Sequence, residues 1–274
     1  MVKITEIKKL KRLYKVTLAD FVVLEKDEDP VDTLYVTEDT IVKFMLGKER
    51  DYSEAELREV AAFAAYSRGK NAAIYYLSFK ARTASEVAKY LQEQEVPEGN
   101  IGRILSELEE LGLIDDRAYA ERAVESAVLA AKSGPYKISQ KLMQRGVAKD
   151  VIQKALSNGF PEKLQLQIAV KTGEKKAAAI AHRTPAKLLR QKVQQTLVSA
   201  GFSYGVTNEA MDAIAFEKDE ENEADLLAQE AEKVYGRLSR RYEGYDLKQH
   251  VMQALARKGF DWGDIDDTLG GYEF

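Results

Sequence analysis

The sequence predicts a mainly α protein of tandem three-helix, helix-turn-helix-like repeats forming an elongated curved solenoid, with a small N-terminal β element. Three observations predict it. A short phrase recurs four times: Val87–Leu91 leads to Glu95 and Val96, Ile138–Leu142 to Gly146 and Val147, Val193–Leu197 to Gly201 and Phe202, and Val251–Leu255 to Gly259 and Phe260. Recurrence at spacings of 51, 55 and 58 residues is the signature of stacked repeats, each burying its apolar face on its neighbours. Apolar residues at helical spacing run through the copies, as in Ile101, Ile104, Leu105, Leu108 and Leu111. The first 50 residues instead alternate β-branched and aromatic residues with polar ones. The expected organisation is a β element over 1–50, linking helices over 51–82, and repeats over 83–133, 134–184 and 185–243, with a partial repeat over 244–274.

Taken in order, Ile4–Lys9, Leu13–Asp20 and Phe21–Lys26 read as strands, Asp27 to Pro30 as a turn, and Leu34–Val36 as a further extended stretch. The result is a hairpin or a three-stranded sheet, closed by a short helix near Glu38–Leu46. Ser53 and Glu56 have the spacing of a capping box. Two linking helices, Ser53–Ser67 and Asn71–Lys80, are expected on either side of Gly69. In the first repeat Thr83 or Ser85 caps one helix, Pro97 to Asn100 turns the chain, Gly112 stops the second helix, and Asp115 or Asp116 caps an Ala-rich third. Gly134 and Pro135 open the second copy, Pro185 the third and Gly244 the fourth. A kink is expected at Thr172 and Gly173, and a solvated loop at Glu217–Asp225. Where the other copies have Gly the first has Glu95, so its turn is expected to close differently, with Gly99 the candidate.

The composition excludes several kinds of chemistry. With no cysteine there are no disulfides, thiolate nucleophiles or Cys-ligated zinc. The only histidines, His182 and His250, fall in different repeats and read as surface or packing residues. Asp115 and Asp116 sit where a helix cap is needed, so capping is preferred to acid–base work. Gly47 and Lys48 lack the upstream glycine and following Ser/Thr of a phosphate loop. No apolar run approaches the length of a membrane span. A non-enzymatic, cytoplasmic, monomeric protein without metal or cofactor is expected.

The net charge of −4 conceals segregation. Residues 134–200 carry 13 Lys/Arg against 3 Asp/Glu, and residues 201–235 carry 2 against 10. Such blocks suit an extended, charged partner. Lys137, Lys141 and Arg145 form a basic stripe on the first helix of the second copy. Lys187, Arg190 and Lys192 form a similar cluster in the third, and Arg240 and Arg241 precede the fourth. These eight, expected on the first helices of the second to fourth copies, are the candidate partner- or nucleic-acid-binding residues. Two short helices about a Gly turn also describe a DNA-reading motif, but the helix that would read offers only Asp150, Gln153 and Lys154 as probes. Tyr75, Tyr76 and Phe79, followed by Lys80 and Arg82, could stack single-stranded bases or could serve packing.

These stretches resemble the RecX family of recombinase regulators. The resemblance is carried by Ala73, Tyr76, Leu77, Lys80, Arg82, Thr83, Glu86 and Val87, and by Ile101 to Ala120 with its Gly112–Asp116 turn. It is also carried by the second copy from Gly134 through Arg145, Gly146 and Val147 to Leu156. It is specific over about residues 70–160 and looser beyond. It implies repeats that lie in the groove of a RecA–single-stranded DNA filament and inhibit strand exchange, ATP hydrolysis and the co-protease role. The implied partners are therefore the RecA filament and single-stranded DNA, met directly or through the filament. No catalytic residues are implied.

Overall fold

The computed structural model describes residues 1–24, 29–48, 50–216 and 219–274. It divides into two compact units: residues 1–120 with 143–151, and residues 121–142 with 152–274.

The first unit opens with strands β1 (Val2–Lys9), β2 (Tyr14–Val22), β3 (Val31–Val36) and β4 (Asp51–Tyr52), antiparallel in the order β3-β2-β1-β4. The expected two strands over Leu13–Lys26 are one up to Val22, bent by a register shift after Thr17. Residues 25–28, which include part of the expected turn, lie outside the described residues. Helix α1 (Glu38–Phe44) follows, as expected.

Helix α2 (Glu54–Leu77) begins with the expected capping box: Glu56 N donates to Ser53 Oγ, and Ser53 N donates to Glu56. It runs unbroken through Gly69, correcting the expected pair of helices. A Cβ there would lie 2.9 Å from Ile104 Cδ1 and 3.0 Å from Val96 Cγ1, so Gly69 permits close packing and ends nothing. The sheet buries Ile4, Val16, Leu18 and Val36 against Leu57, Val60 and Ala64 of this helix. Its other half, through Tyr66 and Ala73, packs on α3 (Ala84–Glu93) and α4 (Glu98–Glu110) around Val87, Leu91, Ile104 and Leu108. Between the two cores, the buried hydroxyls of Thr37, Thr40 and Ser67 satisfy one another at 2.7–2.9 Å.

The remaining helices are α5 (Asp116–Ala130), α6 (Pro135–Gln144), α7 (Lys149–Gly159), α8 (Glu162–Ile180), α9 (Ala186–Ala200), α10 (Tyr204–Ala213), α11 (Glu220–Leu238), α12 (Gly244–Arg257) and α13 (Trp262–Leu269). Helix α8 (Glu162–Ile180) also runs as one helix through Thr172 and Gly173, where the sequence suggested a kink. A Cβ on Gly173 would lie 2.3 Å from Ile214 Cδ1, the same use of glycine as at position 69. The expected acidic loop is in part helix. Glu217 and Lys218 lie outside the described residues, but Glu220–Asp225 form the first turns of α11, begun by Asp219, whose Oδ1 accepts Asn222 N. Three glutamates in that first turn face the positive end of the helix dipole.

The packing follows a different phase from the expected repeats. Two long helices share their cores with the pair that follows: α2 with α3 and α4, and α11 with α12 and α13 through Leu227, Val234, Leu247, Val251, Leu255 and Ile265. Helix α8 likewise packs on α9 and α10. The phrase residues Val87, Leu91, Ile138, Leu142, Val193, Leu197, Val251 and Leu255 are all buried. No helix among the described residues is long and apolar enough to cross a membrane.

Candidate interaction surface

The turn that closes each phrase does more than reverse the chain. Gly146, Gly201 and Gly259 all have positive φ, at 80°, 93° and 97°. Each also lies against the N-terminus of the first short helix of the preceding copy. A Cβ on Gly146 would lie 2.2 Å from Ser85 Cβ; on Gly201, 2.7 Å from Lys137 N; and on Gly259, 2.9 Å from Leu188 Cβ. Glycine is thus required both by conformation and by contact.

Hydrogen bonds reinforce the joint. Gly134 N donates to Ala200 O (2.7 Å) and Tyr136 N to Gly201 O (3.1 Å), so carbonyls at the negative end of α9 satisfy amides at the positive end of α6. In the first unit Thr83 Oγ1 donates to Arg145 O (2.6 Å), and the Arg145 guanidinium pairs with Glu86 at 2.9 Å. Glu95 occupies the same left-handed turn with φ 56°, correcting the expectation that it closes through Gly99, which lies in the first turn of α4. No copy precedes the first, so Glu95 has no such helix terminus to clear and its side chain stays exposed.

Carboxylates complete the helix starts. Asp115 Oδ1 accepts Ala118 N of its own helix (2.8 Å), whereas Asp116 Oδ1 accepts Ala84 N at the head of α3 (2.9 Å). The buried Glu223 of α11 does the same for Ala186 N at the head of α9 (3.0 Å). Helix α6 has Pro135 at that position, with no amide to satisfy. Burial pushes the Asp116 carboxyl up from its ordinary value, and the nearby Asp115 and Glu86 charges add to this; its bond to Ala84 opposes them.

Against this frame the candidate cations separate. Lys137 and Lys141 are exposed on α6, and Lys187, Arg190 and Lys192 on α9. The joint brings these two helices end to end. Arg190 rests on the Phe216 ring at 4.7 Å. Among the described residues no ion pair engages any of these five. Two expectations are corrected. Arg145 stands in the turn after α6 and is committed to Glu86. Arg240 and Arg241 lie in the turn between α11 and α12 and not on a first helix, because α12 begins only at Gly244. The second short helices α10 and α13 carry acids and no bases: Glu209 and Asp212, then Asp264, Asp266 and Asp267. The sequence offered Ser85 and Asp116 as local helix caps, and the roles of Ser85, Glu86, Asp116 and Glu223 between distant segments are seen only in the structure. Only the recurrent glycine hinted at them, since each partner lies 32 to 62 residues away.

His182 is exposed in the 3-10 turn Ala181–Arg183, and His250 stacks on Tyr242 at 4.0 Å, as surface and packing residues respectively. Among the described residues no group of three or more His, Asp or Glu is placed to hold a metal ion.

Comparison with known proteins agrees with this architecture. The chain matches the first three-helix domain of RecX over residues 70–108, the second over 115–156 and the third over 220–269. These windows span the end of α2 with α3 and α4, then α5–α7, then α11–α13, so the first and third start in a long helix, in the phase of its observed core. A regulatory protein RecX from Lactococcus lactis subsp. cremoris (strain SK11) is 43% identical over 275 residues, covering 100% of this chain and 99% of its own. One from Streptococcus sanguinis (strain SK36) is 40% identical over 271 residues, covering 98% and 99%. A crystal structure of regulatory protein RecX superposes with a TM-score of 0.62 at 30% identity, covering 77% of this chain and all of the other. That of RecX from Lactobacillus salivarius gives 0.52 at 31%, covering 55% and 96%. With full-length identity at this level and the same three-helix units, the chain belongs to the RecX family.

Proposed function

We propose that this protein is a regulator that binds the RecA–single-stranded DNA filament and modulates it, mainly by inhibiting its recombinase, ATPase and co-protease activities. In this role it affects DNA repair and the SOS response. It acts by binding and not by catalysis. The observation that carries this reading is full-length kinship with proteins named regulatory protein RecX. The surface supports it: α6 and α9 join end to end and present Lys137, Lys141, Lys187, Arg190 and Lys192 without ion-pair partners among the described residues. Arg240 and Arg241 add two more exposed cations. Such side chains act collectively on an acidic filament surface or on exposed phosphate, since one exposed pair is worth at most about 1 kcal/mol.

The test is simultaneous reversal of Lys137, Lys141, Lys187 and Lys192 to Glu. Arg145 is left intact because its loss would disturb the joint. Filament binding and inhibition of DNA-dependent ATPase should fall together while the circular dichroism spectrum is unchanged. Retained inhibition would remove the assignment. A marked preference of the wild type for naked duplex over filament in a mobility-shift comparison would replace it with direct DNA reading, a role that the acidic α10 and α13 disfavour by like-charge repulsion from phosphate.

A further inference from the structure

The β1–β2 hairpin and the C-terminal end of α2 are far apart in sequence, yet the structure joins them. The Arg12 guanidinium lies 4.0 Å from the centre of the Tyr75 ring, and Tyr75 meets Phe79 edge to face at 4.9 Å. Leu10 N donates to Leu13 O and closes the hairpin tip. The tip, residues 8–15, contributes Lys8, Lys9, Lys11, Arg12 and Lys15; the segment that follows α2, residues 78–82, contributes Lys80 and Arg82; neither segment contains an acid. Among the described residues none of these seven cations is in an ion pair. Phe79 is 66% exposed and Tyr75 44%.

The neighbouring rings serve as a contrast. Tyr76 and Tyr90 stack face to face at 4.1 Å, and Arg82 lies 4.2 Å from the Tyr76 ring, so those faces are already covered. Tyr75 and Phe79 turn outward beside the hairpin cations. Nothing in the packing of either core requires them there, and a large exposed ring carries a solvation cost without a partner.

We propose that this patch binds single-stranded nucleic acid, with an unpaired base stacking on Phe79, which rests against Tyr75 beneath Arg12, and the hairpin cations following the phosphates. An exposed ring next to unpaired cations matches a polyanion that carries its own π faces, and a duplex keeps its bases stacked inside. The N-terminal sheet then holds a contact loop against α2 as well as packing on it. The proposal extends the filament reading and rests on it in one respect, that the strand encountered is the one within the filament. The recognition itself needs no recombinase.

The test uses the full chain and fluorescence anisotropy with a labelled oligothymidylate of about 15 nucleotides, in the absence of recombinase. Three probes compete: an abasic oligomer of the same length, polyglutamate, and phosphatidylglycerol vesicles. The wild type should prefer the oligothymidylate to all three. Phe79→Ala should weaken binding about tenfold. The double variant Lys11→Ala with Arg12→Ala should lower the slope of log K against log salt by about 1.4, two phosphate contacts at about 0.7 each. Each variant's circular dichroism spectrum should match the wild type, as expected for exposed positions. No binding by the wild type, undiminished binding by both variants, or equal competition by the abasic oligomer, polyglutamate or vesicles would overturn the proposal. Because α6 and α9 are untouched, such a failure leaves the filament reading standing. Conversely, an α6/α9 variant that loses filament inhibition but keeps this strand affinity separates the two.

Discussion

Replacing Glu95 by glycine and Gly201 by alanine should move stability in opposite directions, although the two residues occupy the same turn in different copies. Glu95 has φ 56°, a region costing a residue with a Cβ about 1–2 kcal/mol. Glycine removes that cost but gives back about 0.4–1 kcal/mol through the freer unfolded chain, for a net gain of about 0.5–1 kcal/mol. At Gly201 the balance reverses. Alanine acquires the strain at φ 93°, and its Cβ would lie 2.7 Å from Lys137 N and 2.9 Å from Lys137 Cβ. Overpacking of this kind costs about 1–3 kcal/mol, so the total loss should be about 2–4 kcal/mol. Opening the joint would also strain the Tyr136 N to Gly201 O bond. The assay is urea unfolding followed by circular dichroism, with midpoints compared at constant m. Gly99→Ala is the control: its added Cβ meets no heavy atom within 4 Å and sits in a helix, so it should be neutral or mildly stabilising. A destabilised Glu95→Gly, or an unchanged midpoint for Gly201→Ala, would refute the argument that conformation and inter-repeat contact together select glycine.

Asp116 has a raised folded pKa, so the native state holds its proton more tightly. Its effect favours folding below the ordinary value of 3.8 and is lost as pH rises through the folded pKa. Asp116→Asn should flatten the stability–pH curve in that window, as checked by thermal melts across mildly acidic pH. Glu230 runs the other way. Its bond to Lys258 (2.9 Å) holds the carboxyl below 4.5, so its contribution is present above that value and lost as pH falls through the folded pKa. Lys258→Met should reduce that acid-side loss in the same melts, leaving the smaller part due to Lys233. Gly173→Val should cost at least about 1–3 kcal/mol by driving into Ile214, and shortening Ile214 to Val in the same chain should recover part of it in urea unfolding.

The helices were legible because their buried residues recur at helical spacing, as Ile101, Ile104 and Leu108 do. Local caps were legible too: Ser53 with Glu56 needs only neighbours in sequence. Gly69 ends no helix, because glycine weakens a helix pattern in the same way whether the chain breaks there or, as at Gly69 and Gly173, another part of the chain presses close. What tells the cases apart is Ile104 or Ile214, a partner from elsewhere in the chain. Residues 220–225 suggested a loop by composition, although acids at a helix start are favourable. The two-residue strand β4 is too short to leave a pattern. In the candidate surface, Lys137, Lys141 and Lys192 could be placed outside because they flank the buried Ile138, Leu142 and Val193. Arg145 could not be assigned, since its ion-pair partner is 59 residues earlier. The meeting of Arg12 with Tyr75 was hidden for the same reason.

The three joints rest on unlike residues: a serine, a lysine and a leucine. What they share is a helix terminus met by a turn that carries no side chain, so the residue at the seat can vary. Apart from Glu86, which pairs with Arg145, assembly of one copy on the next therefore asks little of the outward side chains of the first short helices. Those positions can be rewritten by mutation without renegotiating the stack, so partner choice and architecture are free to evolve separately.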